Sequence, residues 1–282
     1  GRRPPRRATR HRRGSARVLP LRRALIEELT LTPEQYDICW ADLNLGEHVY
    51  PLRILGHGRT YEERAGIRRR VYQQLEARGL ARSHYLQPDL QDALTLLARA
   101  PVWVDMQWLG APGQTEMNRC VAARSGEHGL VAHLDEAGLR LMPGLGPSLL
   151  LALVDQLPAT GAAPGQSISL PRDVLASAHP AAKGSAYHSP PAMSGHFRQQ
   201  FRALETVLSK PRVRGGQIVA NARDRTGKRH RARPVEWFDT EAGRWTARLL
   251  PGPDGAEHLT VGPADRARVA TQVAEALEGL TR

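Results

Sequence analysis

Apolar and polar positions change period along the chain, and each change marks an element. Leu29, Leu31 and Thr32 read as a short strand. Thr32 then precedes Pro33, an N-cap before a residue suited to the first helical turn. Tyr36, Cys39, Trp40 and Leu43 recur at i, i+3, i+4 and i+7, one apolar face of a helix. After a loop rich in Gly and Pro, Thr60 with Glu63 has capping-box spacing. Ile67, Val71 and Leu75 form the stripe of a second helix, which stops at Gly79. A third helix spans 88–99, with Leu90, Leu94 and Leu97 aligned.

The period then drops to two. VWVDMQW (102–108) alternates as a half-buried strand does. Three more short strands follow at 119–124, 129–134 and 139–142, separated by turns at 126–128 and 136–138. Links this short only allow antiparallel pairing. A helix starting at Pro147 closes the series, with Leu149, Leu150, Leu153 and Leu157 on one side.

PATGAAPGQ (158–166) reads as a linker, and beyond it the order begins again. SISL is a short strand and 171–178 a short helix, while 179–191 has the Pro, Gly, Ser and Ala content of a mobile loop. Phe197, Phe201, Leu204 and Leu208 line one side of a helix at 194–209. A second meander occupies 215–262, broken at Gly227, at DTEAG and at PGPDG, and a last helix is expected from Pro263 to Leu280. Element order alone therefore points to an α+β domain of two similar halves, about 28–158 and 166–282, related by a quasi-two-fold axis.

Charge changes this picture at one end only. The formal charge is +12, but residues 1–23 hold ten Arg and no acid; without them 30 basic residues face 28 acidic ones. Residues 1–27 lack a sustained apolar period and are expected to be disordered. Three readings of this segment stand side by side: a solvated tail, an overextended start, or an arm for nucleic acid or acidic surfaces. In the folded part, Arg223, Arg225, Lys228, Arg229, Arg231 and Arg233 form one basic patch around a hairpin tip. No aromatic residue lies between Ile218 and Glu236 to stack on bases, so a charge-guarded sheet edge is the expected role, with an acidic protein partner as the alternative. Arg64, Arg68, Arg69, Arg70 and Arg78 on the second helix lie among Glu62, Glu63 and Glu76 and read as a solvated face.

The chain shows no catalytic constellation. GxGxxG after a strand, GxxxxGK[ST], HExxH and GxSxG are all missing, and the eleven His have no ligand spacing, so neither a catalytic site, a metal nor a cofactor is expected. Cys39 and Cys120 read as two small buried residues, with a disulfide left open. Asp239 stands alone as an acid in WFDTEAG, where a turn-opening Asp bonded to its own backbone accounts for it. No run of 18 apolar residues exists to cross a membrane as a helix.

The run GGQIVANARDRTGKRHRARPVEWFDTEAGRW, followed by VGPADRARVATQVAEAL, resembles the C-terminal signature of the EspG family of ESX (type VII) secretion-associated proteins. The opening LTLTPEQYDICWADLNLGEHVYPLRILGHGRTYEERAGIRRRV is similar to that family's N-terminal region. The likeness covers about Glu28 to Leu280, and its most specific part is the DTxxGRW turn with the RxGxR run before it. Residues 1–27 lie outside it. It implies a central, mostly antiparallel sheet with two helical bundles related by a quasi-two-fold axis. It also implies a cytosolic chaperone, not an enzyme, acting as a monomer or homodimer on the hydrophobic helical tip of PE–PPE heterodimers or other secreted helical-hairpin proteins. Partner contact in the family falls on a loop between early strands and on the C-terminal bundle. Here these correspond to 110–118 and to the helices at 194–209 and 263–280, with Leu109, Pro112, Met117, Phe197 and Phe201 as candidate contacts. Core packing is the competing reading for both Phe. A nucleic-acid-binding protein acting through the Arg-rich tail and the 223–233 patch is the rival from another class.

Overall fold

Thr32 and Thr60 both close capping boxes. In the computed structural model, which describes residues 28–173, 175, 195–252 and 255–281, strand β1 (Leu29–Leu31) leads into helix α1 (Pro33–Asp42). The Thr32 hydroxyl accepts from the Gln35 N–H at 3.2 Å, and Gln35 Oε1 accepts from the Thr32 N–H at 3.1 Å. Thr60 and Glu63 repeat the exchange at the start of α2 (Tyr61–Ala77). The Arg-rich tail (residues 1–27) and the loop expected at 179–191 lie outside the described residues, as does most of the helix expected at 171–178.

The arginines of α2 stay largely solvent-accessible, as expected, but they also have partners. Four of them clamp α2 to α1 and β1: Arg64 to Asp37 (2.9 Å), Arg68 to Asp42 (2.7 Å), Arg70 to Glu34 (3.1 Å) and Arg78 to the Thr30 carbonyl (2.7 Å). The Asp37 carboxylate is almost fully buried. Burial pushes its pKa up, but Arg64 and the His57 N–H outweigh that and hold it below the ordinary value. A depressed carboxylate contributes stability above its unfolded pKa of about 3.9, lost as pH falls through the lower folded value. Arg64→Ala is therefore expected to cost about 1–2 kcal/mol at neutral pH. In urea titrations across pH, that difference should shrink toward zero below the carboxylate range.

Helix α3 (Pro88–Arg99) follows a two-strand ribbon, β2 (Ala81–Arg82) and β3 (Tyr85–Leu86). The first meander is β4 (Val102–Leu109), β5 (Asn118–Ser125), β6 (His128–Asp135) and β7 (Gly138–Leu145). A 3₁₀ turn (Gly146–Ser148) and a short α4 (Leu149–Val154) replace the longer helix expected from Pro147. The second part comprises β8 (Ile168–Pro171), α5 (Gly195–Leu208), β9 (Arg214–Arg223), β10 (Arg229–Arg231), β11 (Val235–Thr240), β12 (Gly243–Pro251), β13 (Glu257–Pro263) and α6 (Arg266–Thr281). All these strands except β2 and β3 join one antiparallel sheet, in the order β1-β7-β6-β5-β4-β9-β11-β12-β13-β8, with β10 beside β9. Outward from the central pair β4–β9, the strands run in chain order on both sides, and each series is closed by its own first strand.

Two local differences have clear causes. The hairpin arm expected to be continuous is split into β10 and β11. Arg231 opposes Asn221 while Val235 opposes Ile218, so four steps on one strand meet three on the other. That is a bulge, placed where Pro234 has no N–H to give the ladder. The last helix starts at Arg266 because Pro263 still pairs with Trp245 in the sheet. Asp265 caps it, accepting from the Arg268 N–H at 2.8 Å.

Both sheet faces are covered, so β4 is buried on both sides rather than half-buried. Helices α1–α3 and β1 pack with Trp103, Val121 and Leu130 on one face. On that same face, further along the sheet, α5 packs with Phe238, Trp245 and Leu170. Helices α4 and α6 cover the other face over Val104, Met106, Ile218 and Trp237. Cys39 and Cys120 are both free and lie in cores on opposite faces. Burial pushes the Cys39 thiol up to about 12, so it is inert.

Candidate functional site

Among the described residues, the two helical layers on the α1–α3/α5 face leave the sheet between them open, and a groove of about 440 Å³ runs over it. One wall is the end of β4 with the loop after it, including Leu109 and Pro112; the other is Leu208 at the end of α5 with Arg212 and Val213. The floor is sheet: Phe238, Ala247, Leu259 and Val261. The loop is a pinned turn. Gln114 Oε1 accepts from the Gly110 N–H at 2.8 Å, and Gly113 takes a left-handed φ of 78°.

Gly215 at the start of β9 keeps this floor bare: it stands opposite Leu109 and Phe238 on the groove face, where a Cβ would meet the Phe238 Cβ at 3.3 Å. Gly216 belongs to the other face, opposite Trp108 and Trp237. The sequence signal for the bare floor was available: a glycine inside a strand marks a close approach or an open surface. Arg212 lies over the Phe238 ring at 4.8 Å, placing a charge on the rim of an apolar floor.

Leu109 (37 % exposed), Pro112 and Leu208 (43 % exposed) share the groove. Met117 does not: it lines a neighbouring hollow with Glu116, Arg119 and Leu134. Phe197 and Phe201 are partly buried against the core that contains Leu204 and Phe238, so they support α5 from behind. Helix α6 lies on the opposite face of the sheet from the groove.

The basic patch divides into three. Arg223, Arg229 and Arg231 line a second cleft. Arg225 and Lys228 flank the hairpin tip at Gly227, which has φ of 86°. Arg233 pairs with Glu257. Among the described residues no group of three or more His, Cys, Asp or Glu side chains could hold a metal ion, and no helix is long and apolar enough to cross a membrane. His128 and His133 stand on opposite faces of β6, five residues apart, and His133 contacts Arg140 at 2.7 Å.

The sequence model of the EspG family matches residues 32–275. The chain belongs to the EspG family. Its fold is also similar to a solved structure, the type VII secretion system chaperone EspG5 of Mycobacterium tuberculosis in complex with a PE25–PPE41 dimer. That match has a TM-score of 0.66 at 14% identity and covers 90% of this chain and 97% of that one. A search of curated protein sequences finds no match.

In this EspG-family chain, the DTEAGRW segment that carried the resemblance is a structural lock. Asp239 sits in β11 and bonds side chains rather than its own turn. Its Oδ1 accepts from Arg244 Nε at 2.7 Å, and its Oδ2 accepts from Arg244 Nη2 (3.0 Å), Arg214 Nε (2.8 Å) and the Thr160 hydroxyl (3.1 Å). Asp239 and Arg244 are 1 % and 2 % exposed, and the guanidinium lies over the Trp237 ring at 4.6 Å. The linker 158–166 is fastened to this point: Arg244 donates to the Pro158 carbonyl, and its backbone exchanges bonds with Gly161 and Ala163. Gly243 has φ of 129°, and a Cβ there would meet Ala163 backbone at 2.7 Å. Every oxygen of Asp239 is occupied, which leaves it nothing to donate to or take from a substrate.

Proposed function

We propose that this EspG-family chain is a cytosolic, non-enzymatic chaperone of type VII secretion. It covers the apolar helical tip of a PE–PPE-type heterodimer, or of a related secreted helical hairpin, and delivers it to the secretion machinery. The observation that carries this is the open groove between the two helical layers: an apolar floor with arginines on its rim, on a fold solved elsewhere with a PE25–PPE41 dimer bound. An exposed apolar helical tip is an aggregation liability, and burying it removes that liability. A standard interface of about 1,600 Å² in total would extend from the groove onto both of its walls. We also read residues 28–158 and 166–282 as two halves of one domain, with the groove beside their junction at β4–β9.

Co-expression with a PE–PPE pair encoded beside the chain, followed by size-exclusion chromatography, tests the reading. The expected result is one co-eluting complex and a client that stays in solution only when the chaperone is present. A client that elutes alone and is equally soluble without the chaperone would overturn it. The nucleic-acid reading loses ground at the patch itself, because Arg233 is spent on Glu257.

A further inference from the structure

We infer that the second cleft, on the sheet face beside α3, docks an acidic peptide segment of a partner protein. The sheet register builds it. Arg223 on β9 stands directly opposite Arg229 on β10, and Arg231 stands opposite Asn221. Residues 45–50 and Arg53, the end of α3 with Ala100, and Trp103 form the remaining walls around a space of about 480 Å³. Four arginines (53, 223, 229 and 231) face it against two carboxylates, Glu47 and Asp105.

Two of these guanidinium groups are fixed before any partner arrives. Arg231 holds the buried Asp105 through both nitrogens, at 2.6 and 3.1 Å, and lies over the Tyr50 ring at 5.7 Å. Arg223 donates to the Ala98 and Ala100 carbonyls and lies over the Trp103 ring at 5.1 Å. Groups held this way lose little freedom on binding. Arg229, by contrast, has no carboxylate partner among the described residues, and it faces a like charge across the strand pair. Such an arrangement is destabilising in the free protein, and together with burial it lowers the pKa of Arg223. A carboxylate entering the cleft relieves that repulsion and forms charge-assisted hydrogen bonds.

The same geometry decides between occupants. Nucleic acid needs open aromatic faces for its bases. Here Trp103 is only 8 % exposed, and Tyr50, 44 % exposed, already carries the Arg231 guanidinium. Segments of the chain itself do not match in charge: residues 1–26 and 176–194 contain no Asp or Glu. An acidic stretch of a second protein fits the charge of the cleft.

The test is a fluorescence-anisotropy titration of the full chain with a labelled octaglutamate peptide, compared with an octaglutamine peptide and an oligothymidine of ten nucleotides. Arg229→Gln removes the unpaired charge inside the cleft, and Arg225→Gln removes one at the hairpin tip outside it. We expect saturable octaglutamate binding that weakens at least tenfold in Arg229→Gln and less than twofold in Arg225→Gln, with octaglutamine not binding. Equal losses in both variants, or none in either, would assign the binding to general attraction or to the Arg-rich residues 1–23 and overturn the proposal. So would tighter, Arg229-dependent binding of the oligothymidine, or no octaglutamate binding at millimolar concentration.

Discussion

Replacing Asp239 by alanine is expected to lower the unfolding free energy by about 3–5 kcal/mol, the usual cost of leaving half of a buried ion pair alone. Arg244 would keep its charge at 2 % exposure with one acceptor left, the Pro158 carbonyl. Arg214 and Thr160 would lose the same carboxylate. The damage spreads because the site joins the β11–β12 hairpin to residues 158–163. In thermal unfolding the loss corresponds to a drop of roughly 6–20 °C for a domain of this size. Double replacement with Asp239→Leu and Arg244→Met should recover part of it, since an apolar pair needs no desolvation of charge. Urea denaturation of the three proteins decides the matter. A loss below about 1 kcal/mol for Asp239→Ala would mean the lock holds nothing that water does not replace.

What was legible in the sequence is what is local. The capping boxes at Thr32 and Thr60 close over three residues, and the meanders are joined by turns of a few residues, so type and order of the elements could be read directly. The partners of the α2 arginines were not legible because they lie 26 to 48 residues away, on α1 and β1. Glu62, Glu63 and Glu76 supplied a plausible local explanation that the fold does not use for them. The case of Asp239 is similar. A turn-forming Asp is the local answer, whereas the true partners include Thr160, 79 residues earlier, and Arg214, 25 residues earlier. Pro263 illustrates a boundary error of the opposite kind: a residue that suits a helix start was kept in the sheet by its pairing with Trp245. The groove was hardest to see, because it is a place where the two helical layers leave the sheet uncovered. Only Gly215 hinted at it. The family resemblance pointed to the loop and to the 194–209 helix, but it could not show that Phe197 and Phe201 face inward while Leu208, at the end of the same stripe, faces the groove.

That difference along α5 sets up the sharpest test of the groove. Leu208→Asp changes a side chain that is 43 % exposed, so the free protein should lose no more than about 0.5 kcal/mol of stability. If the groove receives the apolar tip of a client, the same change puts a carboxylate in place of an apolar contact on the groove wall. Truncations and charges at such positions cost about 2–4 kcal/mol of binding, which is roughly 30- to 1,000-fold in Kd. Leu55→Asp is the matching control: Leu55 is 89 % exposed and does not line the groove, so its affinity should stay within about twofold of the parent. Phe201→Ala should behave differently from both, lowering stability first, because that ring supports α5 from the core side. Calorimetric titration of a PE–PPE heterodimer into the three variants separates these outcomes. Unchanged affinity in Leu208→Asp would remove the groove as the docking site, since a carboxylate buried against an apolar tip costs binding energy.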